Sequence, residues 1–130
     1  MTEPFSTNGR VNTAEPFNIN AVMDAVTDLW APRVLATVND YDVKVANVGG
    51  EFTQHVHEDT DEFFLVLAGR FRIQLPAETI ELGAGDVYTV PRGVPHKPSA
   101  DEGTRVLFFE LRDTPNTGDR ATARDVRLVD

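Results

Sequence analysis

The chain has 130 residues, a formal net charge of -9 from 12 Lys and Arg against 21 Asp and Glu, and no cysteine. That length predicts one domain able to bury about two thirds of its unfolded surface without covalent staples. Disulfides, thiolate metal sites and a cysteine nucleophile are excluded, and the acidic balance with scattered basic residues argues against nucleic acid and anionic lipid as partners.

Residues 1–17, with Pro4, Gly9 and Pro16, read as a polar N-terminal arm. They carry neither a basic n-region nor an apolar core. No apolar run in the chain approaches the roughly 18 residues of a membrane span, so a cytoplasmic protein without membrane contact is expected. From Asn18 the apolar residues Ile19, Val22, Met23, Val26, Leu29 and Trp30 recur at spacings of three and four. This pattern predicts an amphipathic helix over 18–31, capped by Asn18 and stopped by Pro32, lying on the outside of the main core or on a second subunit.

Strand signals dominate 33–112. Val34–Val38 and Val43–Val48 are β-branched and flank turn residues Asn39 and Asp40. Further strands are expected at 51–58, 62–67, 70–75, 79–82, 86–90 and 105–111, divided by glycine and proline turns. Many short strands with no intervening helix predict an all-β fold, an antiparallel sandwich or jelly-roll barrel. Residues 113–130 return to turn-forming and charged types and read as a C-terminal tail.

All three histidines lie within two short segments of this strand region. His55 and His57, one residue apart, point the same way on an extended chain, about 6–7 Å apart. Glu62 follows five residues later, and His96 sits on a segment that a barrel can fold back to the first. Three imidazoles and one carboxylate make a four-ligand set. Glu62 stands between the acidic run Glu58, Asp59, Asp61 and the apolar run 63–67, where a buried carboxylate needs a partner or a metal.

The spacing Gly49, His55, His57, Glu62, Gly69 followed by Gly85, Pro91, Gly93, His96 resembles the two motifs of the cupin superfamily. The asparagine that usually closes the second motif is replaced by Ala100, a change that touches loop geometry and no ligand. The resemblance implies a cupin-type antiparallel jelly-roll β-barrel with His55, His57, Glu62 and His96 inside it, binding one divalent metal. Within that superfamily it resembles the short single-domain cupins, many labelled mannose-6-phosphate isomerase-like, which commonly pair as homodimers.

Such a donor set suits iron, manganese, nickel, zinc or copper better than magnesium or calcium. Counting by twos places Glu51, Thr53, Phe64, Val66, Phe71 and Ile73 on the pocket wall, with Phe108 or Phe109 according to register. Tyr88 is a candidate to orient a ligand. The expected activity is that of a metal-dependent enzyme on a small organic molecule, dioxygenase-like or isomerase-like. The alternative is a non-catalytic module that binds or senses a metal or small ligand.

Overall fold

The computed structural model describes residues 16–115 and the two-residue strand Val126–Arg127. Residues 1–15 of the expected arm, and most of the expected tail, lie outside the described residues. The described chain is mostly β: β1 Arg33–Val38, β2 Tyr41–Glu51, β3 Glu62–Ala68, β4 Arg70–Gln74, β5 Thr79–Gly83, β6 Val87–Val90, β7 Lys97–Leu111 and β8 Val126–Arg127. Every pairing is antiparallel except β1 with β8.

β7 organises the sheet. On one side it takes β2 along nearly its full length, from Tyr41 opposite Leu111 to Glu51 opposite Ser99. On the other side its first residues pair with β4, Phe71 opposite Ala100, while its end pairs with β3, Phe63 opposite Phe109. β6 extends β3, β5 extends β4, and β1 extends β2. The strand path runs β5-β4-β7-β2-β1-β8 and does not return on itself, so the expected closed barrel is corrected to an open, folded sheet consistent with a jelly roll. Closure fails because two different strands share one edge of β7 instead of forming a single ring of neighbours.

The chain crosses from β3 to β4 at Gly69, whose φ of +85° suits glycine alone. A Cβ there would lie 2.3 Å from Thr104 Oγ1 and 2.7 Å from Thr104 Cα. The Thr104 hydroxyl is already committed at this crossing: it accepts from the Arg70 N–H at 3.0 Å and lies 2.7 Å from the Asp101 carbonyl. Gly69→Ala therefore combines left-handed strain with a backbone collision, and is expected to cost at least about 2 kcal/mol in chemical denaturation. An unchanged denaturation midpoint would show that the crossing is soft.

Two further expectations are corrected. The helix predicted over 18–31 is reduced to α1, Ile19–Asp24, with Asn18 accepting from the backbone N–H groups of Asn20 and Ala21. The Asn47 amide donates to the carbonyls of Met23 and Val26 at 3.0 and 2.9 Å, which ties off the chain where the helix was expected to continue. The strand predicted over 51–58 stops at Glu51, and beyond it only His55 makes a bridge, to His96.

The core has two parts. Inside the fold, Phe64, Val66, Phe71, Ile73, Val106 and Phe108 pack with Ala46 and Val48. Outside it, Met23 of α1 packs on Val34, Leu35 and Val45. β2 is thus buried on both faces, Ala46 and Val48 inward and Val45 under the helix. Ala100 is buried in the inner cluster, so the residue that departs from the cupin motif serves packing on β7. Among the described residues no helix is long and apolar enough to cross a membrane.

Candidate metal centre

The backbone brings the two motif segments together. His55 and His96 exchange reciprocal N–H to carbonyl bonds of 2.9 Å, and the Gly93 N–H donates to the His57 carbonyl at 2.8 Å. Gly93 has φ +78°, which allows the turn to present that N–H. Glu62 opens β3 opposite Val90, which aims its carboxylate into the same space. One donor atom from each of His55, His57, Glu62 and His96 lies within 4.8 Å of the others.

Outer hydrogen bonds prepare the imidazoles. His55 Nδ1 lies 2.7 Å from the Thr53 carbonyl and His96 Nδ1 lies 3.0 Å from the Val94 carbonyl. A carbonyl can only accept, so each Nδ1 carries a proton; His55 Nε2 then offers a lone pair, and His96 Nε2 does so once it gives up the proton it shares with Glu62. His57 is buried with neither ring nitrogen hydrogen-bonded, and its Nε2 lies 3.4 Å from Glu62 Oε1. An orphaned imidazole aimed at a buried carboxylate is the arrangement a metal ligand needs. The four residues fit one divalent metal: the His57 and His96 Nε2 atoms lie 3.4 and 3.2 Å from Glu62 Oε1, separations that atoms sharing an ion at about 2.0–2.2 Å can have.

Electrostatics follow from burial and crowding. Burial drives the His55 imidazole down to about 4. Burial alone would raise Glu62, but the close His57 and His96 imidazoles outweigh it and hold the carboxyl far below its usual range. Burial opposes protonation of His96, yet Glu62 Oε1 at 3.2 Å prevails and raises it.

The metal-free protein should therefore lose stability as pH falls. His55 stays neutral when folded and binds a proton at about 6.5 when unfolded, so its contribution is full above pH 6.5 and lost toward pH 4, about 3 kcal/mol in all. Glu62 adds a further loss below pH 4.5, whereas the raised His96 contributes below 6.5 and loses its contribution as pH rises through its folded value. Urea midpoints at pH 7.0, 5.5 and 4.5 check the sign; a flat profile would contradict it.

A second buried carboxyl adjoins the centre. Glu110 Oε2 lies 3.7 Å from His57 Nε2, and Oε1 lies 3.3 Å from Lys44 Nζ, which also donates to the Thr114 carbonyl at 3.2 Å. Lys44 and Glu110 are both fully buried. Burial first, then the Glu62 charge, push the Glu110 carboxyl well above its usual range against the pull of Lys44. Sequence reasoning missed this pair, because single polar residues alternating in β-branched strands look like a solvated face. The available signal was parity: Lys44 shares the inward face with Ala46 and Val48, as Glu110 does with Val106 and Phe108.

A cavity of about 40 Å³ opens beside the donor set. His55 and Glu62 form its polar wall, and the aromatic rings of Trp30, Phe52, Phe64, Phe71 and Phe108 surround the rest. The expected wall residues Phe64 and Phe71 are in place, Val66 and Ile73 are buried in the core beside them, and Phe108 faces inward while Phe109 does not. Glu51 and Thr53 are exposed, a correction that follows from the loss of extended structure after Glu51. Tyr88 is half-buried against the inner core, opposite Phe64, and is not among the cavity-lining residues. Trp30 and Phe52 were not expected here.

Residues 43–111 match the cupin domain family. The chain is 36% identical over 81 residues to the uncharacterized protein YdbB of Bacillus subtilis, spanning 62% of this chain and 72% of that protein. It is 44% identical over 65 residues to quercetin 2,3-dioxygenase of the same organism, spanning 49% of this chain but 19% of that protein. Among solved structures, a cupin-2 domain containing protein from Shewanella frigidimarina NCIMB 400 superposes with a TM-score of 0.72 at 42% identity, covering 74% of this chain and 94% of that one.

Proposed function

From the premise that this chain belongs to the cupin domain family, we propose that it is a metal-dependent enzyme acting on a small organic molecule. His55, His57, Glu62 and His96 would hold one divalent transition metal. The observation that carries this is the convergence of four donors on one point beside an apolar cavity. When bound, such an ion supplies Lewis-acid chemistry and, if redox-active, electron transfer at the cavity wall.

The chain's own residues supply the rest. The Thr53 and Val94 carbonyls fix the orientation of His55 and His96. Aromatic walls keep bulk water from the centre and strengthen electrostatic interactions within it. Dioxygenase-like chemistry is favoured over sugar-phosphate isomerisation, because among the described residues no Lys or Arg lines the cavity to receive a phosphate. The local likeness to quercetin 2,3-dioxygenase supports the same choice.

The small cavity favours a second reading, a module that binds or senses metal without turnover. Oxygen-electrode assays on iron- and manganese-loaded protein, across a panel of phenols, diketones and hexose phosphates, separate the two. Substrate-dependent oxygen uptake that disappears in His57→Ala is expected. Fully loaded protein that turns over none of the panel would overturn the enzymatic reading.

Pairing of two chains belongs to the same proposal. Val38 and Tyr41, cross-strand neighbours at the β1–β2 turn, are 56% and 41% exposed and offer an apolar contact. Light scattering that returns the mass of one chain would remove it.

A further inference from the structure

The four donors are shut away from solvent: His55, the most exposed of them, is 9% exposed. Beside them the cavity measures about 40 Å³, against the roughly 150 Å³ that holds a benzene ring in an apolar interior. A ring-sized molecule cannot touch His55 or Glu62 unless a wall gives way.

Most of that wall is fixed. Phe64, Phe71 and Phe108 stand on β3, β4 and β7. Trp30 is held by two hydrogen bonds, from its N–H to the Asn47 carbonyl at 2.9 Å and from its indole Nε1–H to the Gly49 carbonyl at 2.8 Å. Phe52 differs. Residues 52–54 belong to no strand and connect the end of β2 at Glu51 to the bridge at His55, with the Phe52 N–H donating to the Pro98 carbonyl at 2.9 Å. Ring contacts hold its side chain, which stacks on Trp30 at 5.1 Å with 23° between the planes and meets His55 edge-on at 5.5 Å. Each such contact adds only about 0.5–1.5 kcal/mol to burial, so the ring can be displaced at modest cost.

Phe52 also stands at a boundary. It lines the apolar cavity on one side and, on the other, an open groove formed with Glu51, Thr53, Gln54 and Lys97. The half-buried ring thus separates a solvent-facing groove from the wall that carries His55.

We propose that Phe52 limits by size what reaches the donor set: its ring closes the passage from the groove to His55, and a molecule of more than a few atoms enters only in its place. The partition acts on bulk and not on charge. The proposal rests on the reading of His55, His57, Glu62 and His96 as the centre where the ligand is bound.

The experiment titrates the copper(II)-loaded full chain with azide and with pyridine, followed by visible absorption, with copper content measured on every sample. Each probe is compared with itself across wild type, Phe52→Leu and Phe52→Ala, so the charge of the ion and the basicity of the probe cancel. Pyridine should bind Phe52→Ala about tenfold more tightly than wild type, the scale on which a pocket discriminates by bulk, with Phe52→Leu in between. Azide, small enough for the existing cavity, should bind all three alike. A loosened fold would admit both probes more readily, and a disturbed donor set would change the copper spectrum before any probe is added. Phe52→Leu, which keeps an apolar side chain of moderate size, carries the test should Phe52→Ala not fold.

Pyridine affinity unchanged in the variants, azide gaining as much as pyridine, or copper-loaded protein that answers neither probe would overturn the proposal while leaving the metal reading in place. Wild type that takes up no copper would overturn the metal reading and this proposal with it.

Discussion

In His57→Ala, metal binding should fall by more than the roughly 10–100-fold typical of losing an outer-shell partner, while the metal-free protein changes little in stability. The pairing of these outcomes is what identifies a ligand. In a structural histidine, truncation removes hydrogen bonds and lowers stability. His57 has none to lose, since both ring nitrogens are buried without a hydrogen-bond partner. An alanine there removes two desolvated polar atoms, which favours folding, at the cost of some packing and of the 3.4 Å contact with Glu62, so the terms largely offset.

Metal added to wild type should raise the melting temperature by linkage, and the same addition should leave His57→Ala unmoved. Calorimetric titration and paired melts with and without metal check both halves. A variant that melts several degrees lower without metal, yet still responds to metal, would make His57 a packing residue.

Lys44→Met should destabilise the fold by about 3 kcal/mol, among the largest single-residue effects outside the donor set. Lys44 and Glu110 are fully buried and pair at 3.3 Å. Removing the cation leaves Glu110 facing Glu62 and His57 without it, and a buried carboxyl stripped of its partner incurs most of its desolvation cost. Glu110 already tends to hold a proton, which limits the loss to the lower end of the usual range. The double variant Lys44→Met with Glu110→Leu should recover most of the stability, because well-packed apolar replacements of a buried pair are often neutral. Urea unfolding of the two singles and the double measures the coupling; simple additivity would show that the pair does not act as a unit.

How far each part can be read from sequence depends on what kind of constraint shapes it. The donor set is readable because ligation restricts residue type, and its spacing follows from a turn at Gly93 and a bridge between His55 and His96. Most strand positions follow from β-branched runs and turn residues, since those signals are local. Closure of the sheet is not local: it depends on β3 and β4 sharing one edge of β7, which no periodicity encodes.

Trp30 illustrates the same limit at one residue. Its spacing with Val26 and Met23 fits a helix, but the Asn47 amide takes the Met23 and Val26 carbonyls, and the Asn47 and Gly49 carbonyls capture the tryptophan N–H groups, so tertiary hydrogen bonds decide its place. Thr53 shows a parity count failing where the strand ends: its side chain is exposed, while its carbonyl orients His55.

The central claim is that His55, His57, Glu62 and His96 together hold one metal ion. Anomalous scattering recorded across the absorption edges of iron, manganese, nickel, copper and zinc, on crystals of the purified protein, tests it most directly. The account predicts one peak per chain, within about 2.0–2.2 Å of the three Nε2 atoms and a Glu62 oxygen. No peak in metal-supplemented crystals, or a peak elsewhere with His96 still hydrogen-bonded to Glu62, would contradict it.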